Sequence, residues 1–205
     1  MATTTAAQSP RKRMRHADRR EQLLDVAEQL FIAEGFSAVT MEDIARAGGV
    51  TRPVVYNHFE TREGAYLAVV RRAREKYDAV ITDQTDLPSD LRARLKRGAE
   101  TFFSMLENDP ERWKLLFGSS AVLPPAYAEE LSALRFGTIQ AIEENLRAAV
   151  PQLEPRLLEA MAHSISGVGE RLGHWRLADP SVTIAELVEY YTDILWSGIG
   201  RLIED

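Results

Sequence analysis

Cysteine is absent from the 205 residues, which excludes disulfides, thiolate metal ligands and thiol nucleophiles at once. No apolar run approaches the roughly 20 residues that a bilayer-crossing helix needs, so no membrane partner is expected. The opening M-A-T-T-T-A-A-Q-S-P is small and polar, and the basic run R-K-R-M-R-H after it leads into no hydrophobic stretch. Secretion is therefore not expected, residues 1–17 read as a disordered basic arm, and a cytoplasmic protein fits. There is no glycine-rich phosphate loop and no cluster of ligands at metal spacing, so no cofactor or metal is expected. His163 and His174 share a helix face but lie about 16 Å apart along it, too far to hold one ion. Ser164 and Ser166 sit too locally beside His163 to form a nucleophile–base pair, so no catalytic residue is assigned and an enzyme is the weaker reading.

Charge is unevenly placed. The chain carries a net −6, yet residues 11–20 hold Arg11, Lys12, Arg13, Arg15, Arg19 and Arg20 against a single Asp18. Residues 1–62 balance at +1 and the remainder at −7. That asymmetry permits phosphate contact at one end only, although a solvated basic tail would look the same.

Periodicity predicts helices throughout and no convincing strand, hence an all-α protein. Leu23, Leu24, Ala27, Leu30 and Phe31 mark a first helix from about Asp18 to Gly35. Thr40-Met-Glu-Asp43 has the form of a capping box for a short second helix, which Gly48-Gly49 stops. A third opens at Thr51 and runs through Phe59, and Thr61 caps a fourth reaching past Tyr77. The break at Thr85–Ser89 precedes five more helices, opened by or near Leu91, Asp109-Pro110, Pro124-Pro125, Glu154 and Thr183, the last reaching Leu202.

The second and third helices have helix-turn-helix spacing. Ala45 allows close crossing, Gly49 supplies the turn, and Val55 and Phe59 face inward with Ile44. Pro53 falls in the first turn, where its missing N–H costs nothing. Arg52 and Tyr56 lie four apart on one outward face, with Pro53 and Asn57 beside them. Arg52 suits guanine O6/N7, and Pro53 and Val54 suit a thymine methyl. Tyr56, His58 and Arg62 suit phosphates, which set position rather than sequence. A core role for a single aromatic or histidine is the commoner case, and an interaction module whose Tyr56–Phe59 patch meets a protein remains a second reading. Steeply salt-dependent DNA affinity separates the two.

The run T-M-E-D-I-A-R-A-G-G-V-T-R-P-V-V-Y-N-H-F-E-T-R-E resembles the N-terminal domain of the TetR family of transcriptional regulators over about Arg20–Tyr66. The resemblance implies a three-helix DNA-binding domain over 18–66 and a helical effector-binding and dimerisation domain over 67–205. It implies that Thr40 caps the second helix against a phosphate and that Thr51, Arg52 and Pro53 form the base-reading start of the third. Tyr56 and His58 would hold the backbone, with Arg62 in the place of a phosphate-binding lysine. Three departures from the family pattern stand out: Arg62 for lysine keeps the charge but changes its geometry, Asn57 is smaller than the frequent aromatic, and Gly64 and Ala65 replace an acidic residue and a leucine, so the start of the fourth helix is expected to be looser.

In the larger domain, Leu158, Met161, Ile165, Val168, Leu172 and Trp175 form a 3-4-3-4-3 seam on a helix that also carries Gly167, Gly169 and Gly173. The last helix has Leu187, Tyr191 and Leu195 on one side and further apolar residues around it. Ile165, Val168, Leu172, Trp175, Leu187, Tyr191 and Leu195 are therefore expected at a homodimer contact, the alternative being a monomer's own core. The resemblance implies a four-helix bundle there, and a ligand cavity elsewhere in the domain. Phe102, Met105, Trp113, Phe117, Phe136, Gln140 and His163 are candidates for its lining, for an apolar or amphipathic effector. The expectation is a ligand-responsive homodimeric repressor that binds a palindromic double-stranded operator and that effector binding releases.

Overall fold

A computed structural model describes residues 15–82, 88, 90–118 and 125–200. The basic run at 11–13, most of the 85–89 break, Pro124 and the end of the last helix at Leu202 lie outside these. The described residues form nine α-helices and the turns between them, with no strand.

The head is built from α1 (His16–Glu34), α2 (Met41–Ala47), α3 (Arg52–Phe59) and the first half of α4 (Arg62–Thr82). α1 begins two residues ahead of Asp18, with Arg15 Nε donating to that carboxylate at 3.0 Å, and stops at Gly35, whose φ of 78° a side chain would resist. The capping box on α2 is complete: Asp43 N donates to Thr40 Oγ1 at 3.2 Å, and Thr40 N and Oγ1 donate back to Asp43 Oδ2 at 3.0 and 2.6 Å. Leu23, Ala27, Val39, Ile44, Val55 and Val69 are fully buried and form the head's core. That cluster ends at Val69 and a second begins at Val70, with Tyr66 and Leu115 packed against both. α4 thus serves two cores, and the expected division at Tyr66 falls inside it.

The body comprises the rest of α4 with α5 (Leu91–Asn108), α6 (Pro110–Phe117), α7 (Pro125–Ala149), α8 (Pro155–Ala178) and α9 (Ile184–Ile199). Asp90, Asp109, Glu154 and Thr183 cap α5, α6, α8 and α9 by accepting from backbone N–H groups of the first turn. Two of the interior glycines of α8 receive aromatic rings. A Cβ at Gly173 would overlap the Trp113 indole, and one at Gly169 would press on Phe102 and Tyr191 at 3.4 Å.

The proposed dimer set needs correction here. Leu187, Tyr191 and Leu195 are buried in the body's own core, where α9 lies along α5, so they are closed to a partner. Ile165 is likewise buried, whereas Val168 and Leu172 are half-buried and Trp175 is exposed. The seam starts at the core and leaves it because a strict 3.5-residue repeat on a straight helix drifts by about 20° per heptad. The outward apolar residues of this end are Trp175, Tyr190 and Ile194, with Trp175 and Tyr190 stacked at 6.2 Å.

Candidate nucleic-acid interface and ligand cavity

Two buried residues, Val55 and Phe59, anchor α3 on α1 and α2, which leaves Arg52, Pro53, Tyr56 and Asn57 exposed on one face. Gly49, at φ 63°, turns the chain between the helices, and Val50 N closes the turn on Ala45 O at 3.0 Å. Thr51 holds extended N-cap geometry, but its side chain makes no cap hydrogen bond. Pro53 needs no donor partner in that first turn, and Val54 is half-buried at the edge of the row. Arg52 is held in place before any DNA arrives: its guanidinium pairs with Glu42 of α2 and lies 5.8 Å over the Tyr56 ring. Spacing within α3 gave no sign of Glu42, because the pair crosses the turn.

The other expected phosphate contacts are set differently. Thr40 is exposed, with its hydroxyl engaged in the capping box. His58 is half-buried, its ring 4.3 Å from that of His16, and its Nδ1 has no partner among the described residues. Burial, with help from His16, Arg20 and Arg19, lowers its pKa from the usual histidine value of 6.5. Arg62 lies 4.3 Å over Phe36 and pairs with Glu63 at 3.1 Å, still one-third exposed. The start of α4 is tight rather than loose. A Cβ at Gly64 would strike the Phe59 carbonyl, and Gly64 N donates to Thr61 Oγ1 at 2.9 Å. Between α3 and α4, Glu60 sits at φ 61° with Thr61 N bonded to Phe59 O at 2.6 Å, a three-residue γ-turn.

In the body a cavity of about 280 Å³ opens between α4, α5, α7 and α8. Of the expected lining residues it takes Phe102 and Phe117. Trp113 is wholly buried core and Met105 is half-buried core packing; neither lines the cavity. Phe136, Gln140 and His163 are exposed on the outer side of α7 and α8, with the Phe136 and His163 rings 6.1 Å apart. Helical period alone does not say which of two apolar faces turns inward. The wall is completed by residues that the periodic reading passed over, among them Tyr77, Arg94, Thr138, Ile142 and Tyr191.

Two charged nodes tie α4 to its neighbours, one beside the cavity and one between head and body. Arg74, on the apolar stripe of α4, is buried with its Nη groups on Thr138 Oγ1 at 3.1 Å and Leu116 O at 2.9 Å; Thr138 in turn donates to Asp78 at 2.7 Å. Burial holds the Arg74 pKa down and the Asp78 pKa up. A charged residue between Val70 and Tyr77 on a core stripe was the signal for this node. The second node joins three helices: buried Glu28 of α1 accepts from Arg72 of α4 and from Arg112 of α6, the latter at 3.0 Å. At the opposite edge Thr61 Oγ1 and Tyr127 OH of α7 are 2.9 Å apart.

A short helix fixed by its apolar side, with an arginine and a tyrosine on its free side, defines a helix-turn-helix DNA-binding protein. The comparisons agree. Residues 23–69 match the bacterial regulatory proteins of the tetR family. The transcriptional activator FasR of Mycolicibacterium smegmatis is 26% identical over 191 residues, covering 93% of this chain and 87% of that one. A TetR-family regulator of Streptomyces coelicolor superposes with a TM-score of 0.72 at 26% identity, over 90% of this chain and 81% of that one. FadR of Bacillus subtilis, solved with stearoyl-CoA, shares the fold at 16% identity and a TM-score of 0.72, over 87% and 98% of the two chains. Residues 23–69 thus carry the DNA-binding domain of the tetR family of bacterial regulatory proteins, and the chain takes the fold of TetR-family regulators. No helix among the described residues is long and apolar enough to cross a membrane.

Proposed function

We propose that two copies of this chain form a cytoplasmic repressor that binds a palindromic operator and leaves it when an apolar or amphipathic effector enters the cavity. The observation that carries this reading is the outward row of α3, Arg52, Pro53, Tyr56 and Asn57, on a helix held down by Val55 and Phe59. Arg52 and Pro53 read bases, with Thr51 and Val54 beside them, and Thr40, Tyr56, His58 and Arg62 border the phosphates. Residues 18–66 act as the reading head and 67–205 as the effector and dimer body, with no catalytic role. Dimerisation falls to the outward apolar residues Trp175, Tyr190 and Ile194 with Val168 and Leu172, since a dyad is what lets two short helices read a palindrome. Stearoyl-CoA in FadR supports an effector with a long apolar part. Effector binding then favours a body arrangement in which the two heads no longer match the half-site spacing.

Fluorescence anisotropy on the DNA upstream of the chain's own reading frame tests this. Wild type binds specifically, with a steep salt dependence. Arg52→Ala loses about 1–3 kcal/mol of discrimination. Sequence-specific affinity that is unchanged in both Arg52→Ala and Tyr56→Phe would remove the assignment. FasR carries the name of an activator, so transcription in vitro from that promoter decides the sign: a repressor lowers transcript and the effector restores it.

A further inference from the structure

Two phenol hydroxyls belong to residues of the cavity wall. Tyr77 and Tyr191 line the cavity and are only 8% and 7% exposed. No hydrogen bond joins either hydroxyl to another described residue, and burial pushes both phenol pKa values up. Their rings are fixed edge-on, Tyr77 against Phe102 and Phe117 at 6.1 and 5.5 Å and Tyr191 against Phe103 at 5.9 Å. Neither hydroxyl is among the sealed, unpartnered polar atoms of the described residues, so both open on the cavity, where an entering ligand can accept from them. Thr138 is committed elsewhere, to Arg74 and Asp78.

Charge in the same wall is one-sided. Among the described residues the cavity is lined by Arg94 and Arg97 and by no Asp or Glu. Arg94 spends its Nε on the Pro88 carbonyl at 2.6 Å and has no carboxylate partner among the described residues. Among the described residues Arg97 pairs with Glu100 alone, at 4.0 Å and exposed. Phe102, Phe117, Ile142, Leu146 and Ile165 make up the apolar part.

We infer that the cavity takes an amphipathic acyl anion, with its hydrocarbon chain among the apolar residues, an oxygen acceptor for Tyr77 and Tyr191, and its negative charge at Arg94 and Arg97. The inference rests on reading the cavity as the effector site and adds the ligand's chemical class. A free acid and an acyl thioester of a phosphate-bearing carrier offer the same anionic chemistry to the two guanidinium groups.

Isothermal titration of the full chain with dodecanoate, dodecanoyl-coenzyme A, dodecanol and dodecyltrimethylammonium, each kept below its micelle concentration, tests it. At least one anion is expected to bind about tenfold or more tighter than dodecanol, with the cation weakest. The tighter of the two anions identifies the source. The double variant Arg94→Met/Arg97→Met is expected to cancel that advantage and leave dodecanol unchanged, and Tyr191→Phe to weaken the anion severalfold. Dodecanol or the cation binding as tightly as both anions, or anion affinity untouched in the double variant, would overturn the inference while leaving an apolar effector site. If no probe binds and operator binding is intact, the effector reading of the cavity falls with it.

Discussion

Helix propensity and packing give opposite signs for Gly173→Ala, which makes it a sharp test of how α8 meets α6. In an exposed helix the change would stabilise by about 1 kcal/mol. Here the new methyl overlaps Trp113 Cζ2 and stands 2.9 Å from Cη2 and 3.1 Å from Cε2. The indole cannot swing aside, because it is wholly buried and hemmed by Phe117 and His174 at 5.0 Å each and Phe102 at 6.1 Å. Overpacking of a rigid core costs about 1–3 kcal/mol, and overlap with a trapped ring belongs at the upper end. Set against the propensity gain, the net loss is about 2 kcal/mol, or roughly 4–8 °C for a chain of this size. Thermal melts of wild type, Gly173→Ala and Gly98→Ala provide the measurement. Gly98 has no atom within 4 Å of its Cβ position, so that control should gain about 0.5–1 kcal/mol. A Gly173→Ala midpoint at or above wild type would refute the packing argument.

Three further outcomes follow from features elsewhere in the chain. Glu28→Gln leaves Arg72 and Arg112 without their shared buried carboxylate and should destabilise by about 3 kcal/mol in urea denaturation. Because the folded state lowers the His58 pKa below 6.5, the unfolded chain binds the extra proton first; stability is then full above that pH and falls as pH drops through the folded value. Melting midpoints taken between pH 7.5 and 5.5 should show that decline, and His58→Asn should flatten it. Ile194→Asp, on the outward face of α9, should shift the chain from dimer to monomer in light scattering without lowering its helix content.

Much of the head was legible because its determinants are local. The Thr40–Asp43 cap, the Gly49 turn, Pro53 in a first turn, and the inward pair Val55 and Phe59 are each decided within a few residues. What escaped depends on elements distant in sequence. Glu42 reaches Arg52 across a turn, and Glu28 meets Arg112, 84 residues away. α9 is apolar on two faces, and only the position of α5 decides that Leu187, Tyr191 and Leu195 turn inward while Tyr190 and Ile194 turn out. The same ambiguity placed Phe136 and His163 in a cavity that Tyr77 and Tyr191 line instead. Gly64 looked like a weak start to a helix until the Phe59 carbonyl occupied the space a side chain would need.

The head is pinned to the body at two separated points besides the continuous α4: Glu28 to Arg112 on α6, and Thr61 to Tyr127 on α7. Leu115 of α6 also packs on both cores, so these polar contacts add to an apolar seat. On the proposed effector reading, a displacement of α6 or α7 would reach the head through these contacts as well as through α4. The pins also differ in kind: the first is ionic and buried at its carboxylate, the second neutral and exposed. Salt in the buffer would act on them unequally, weakening the ionic contact and leaving the neutral one.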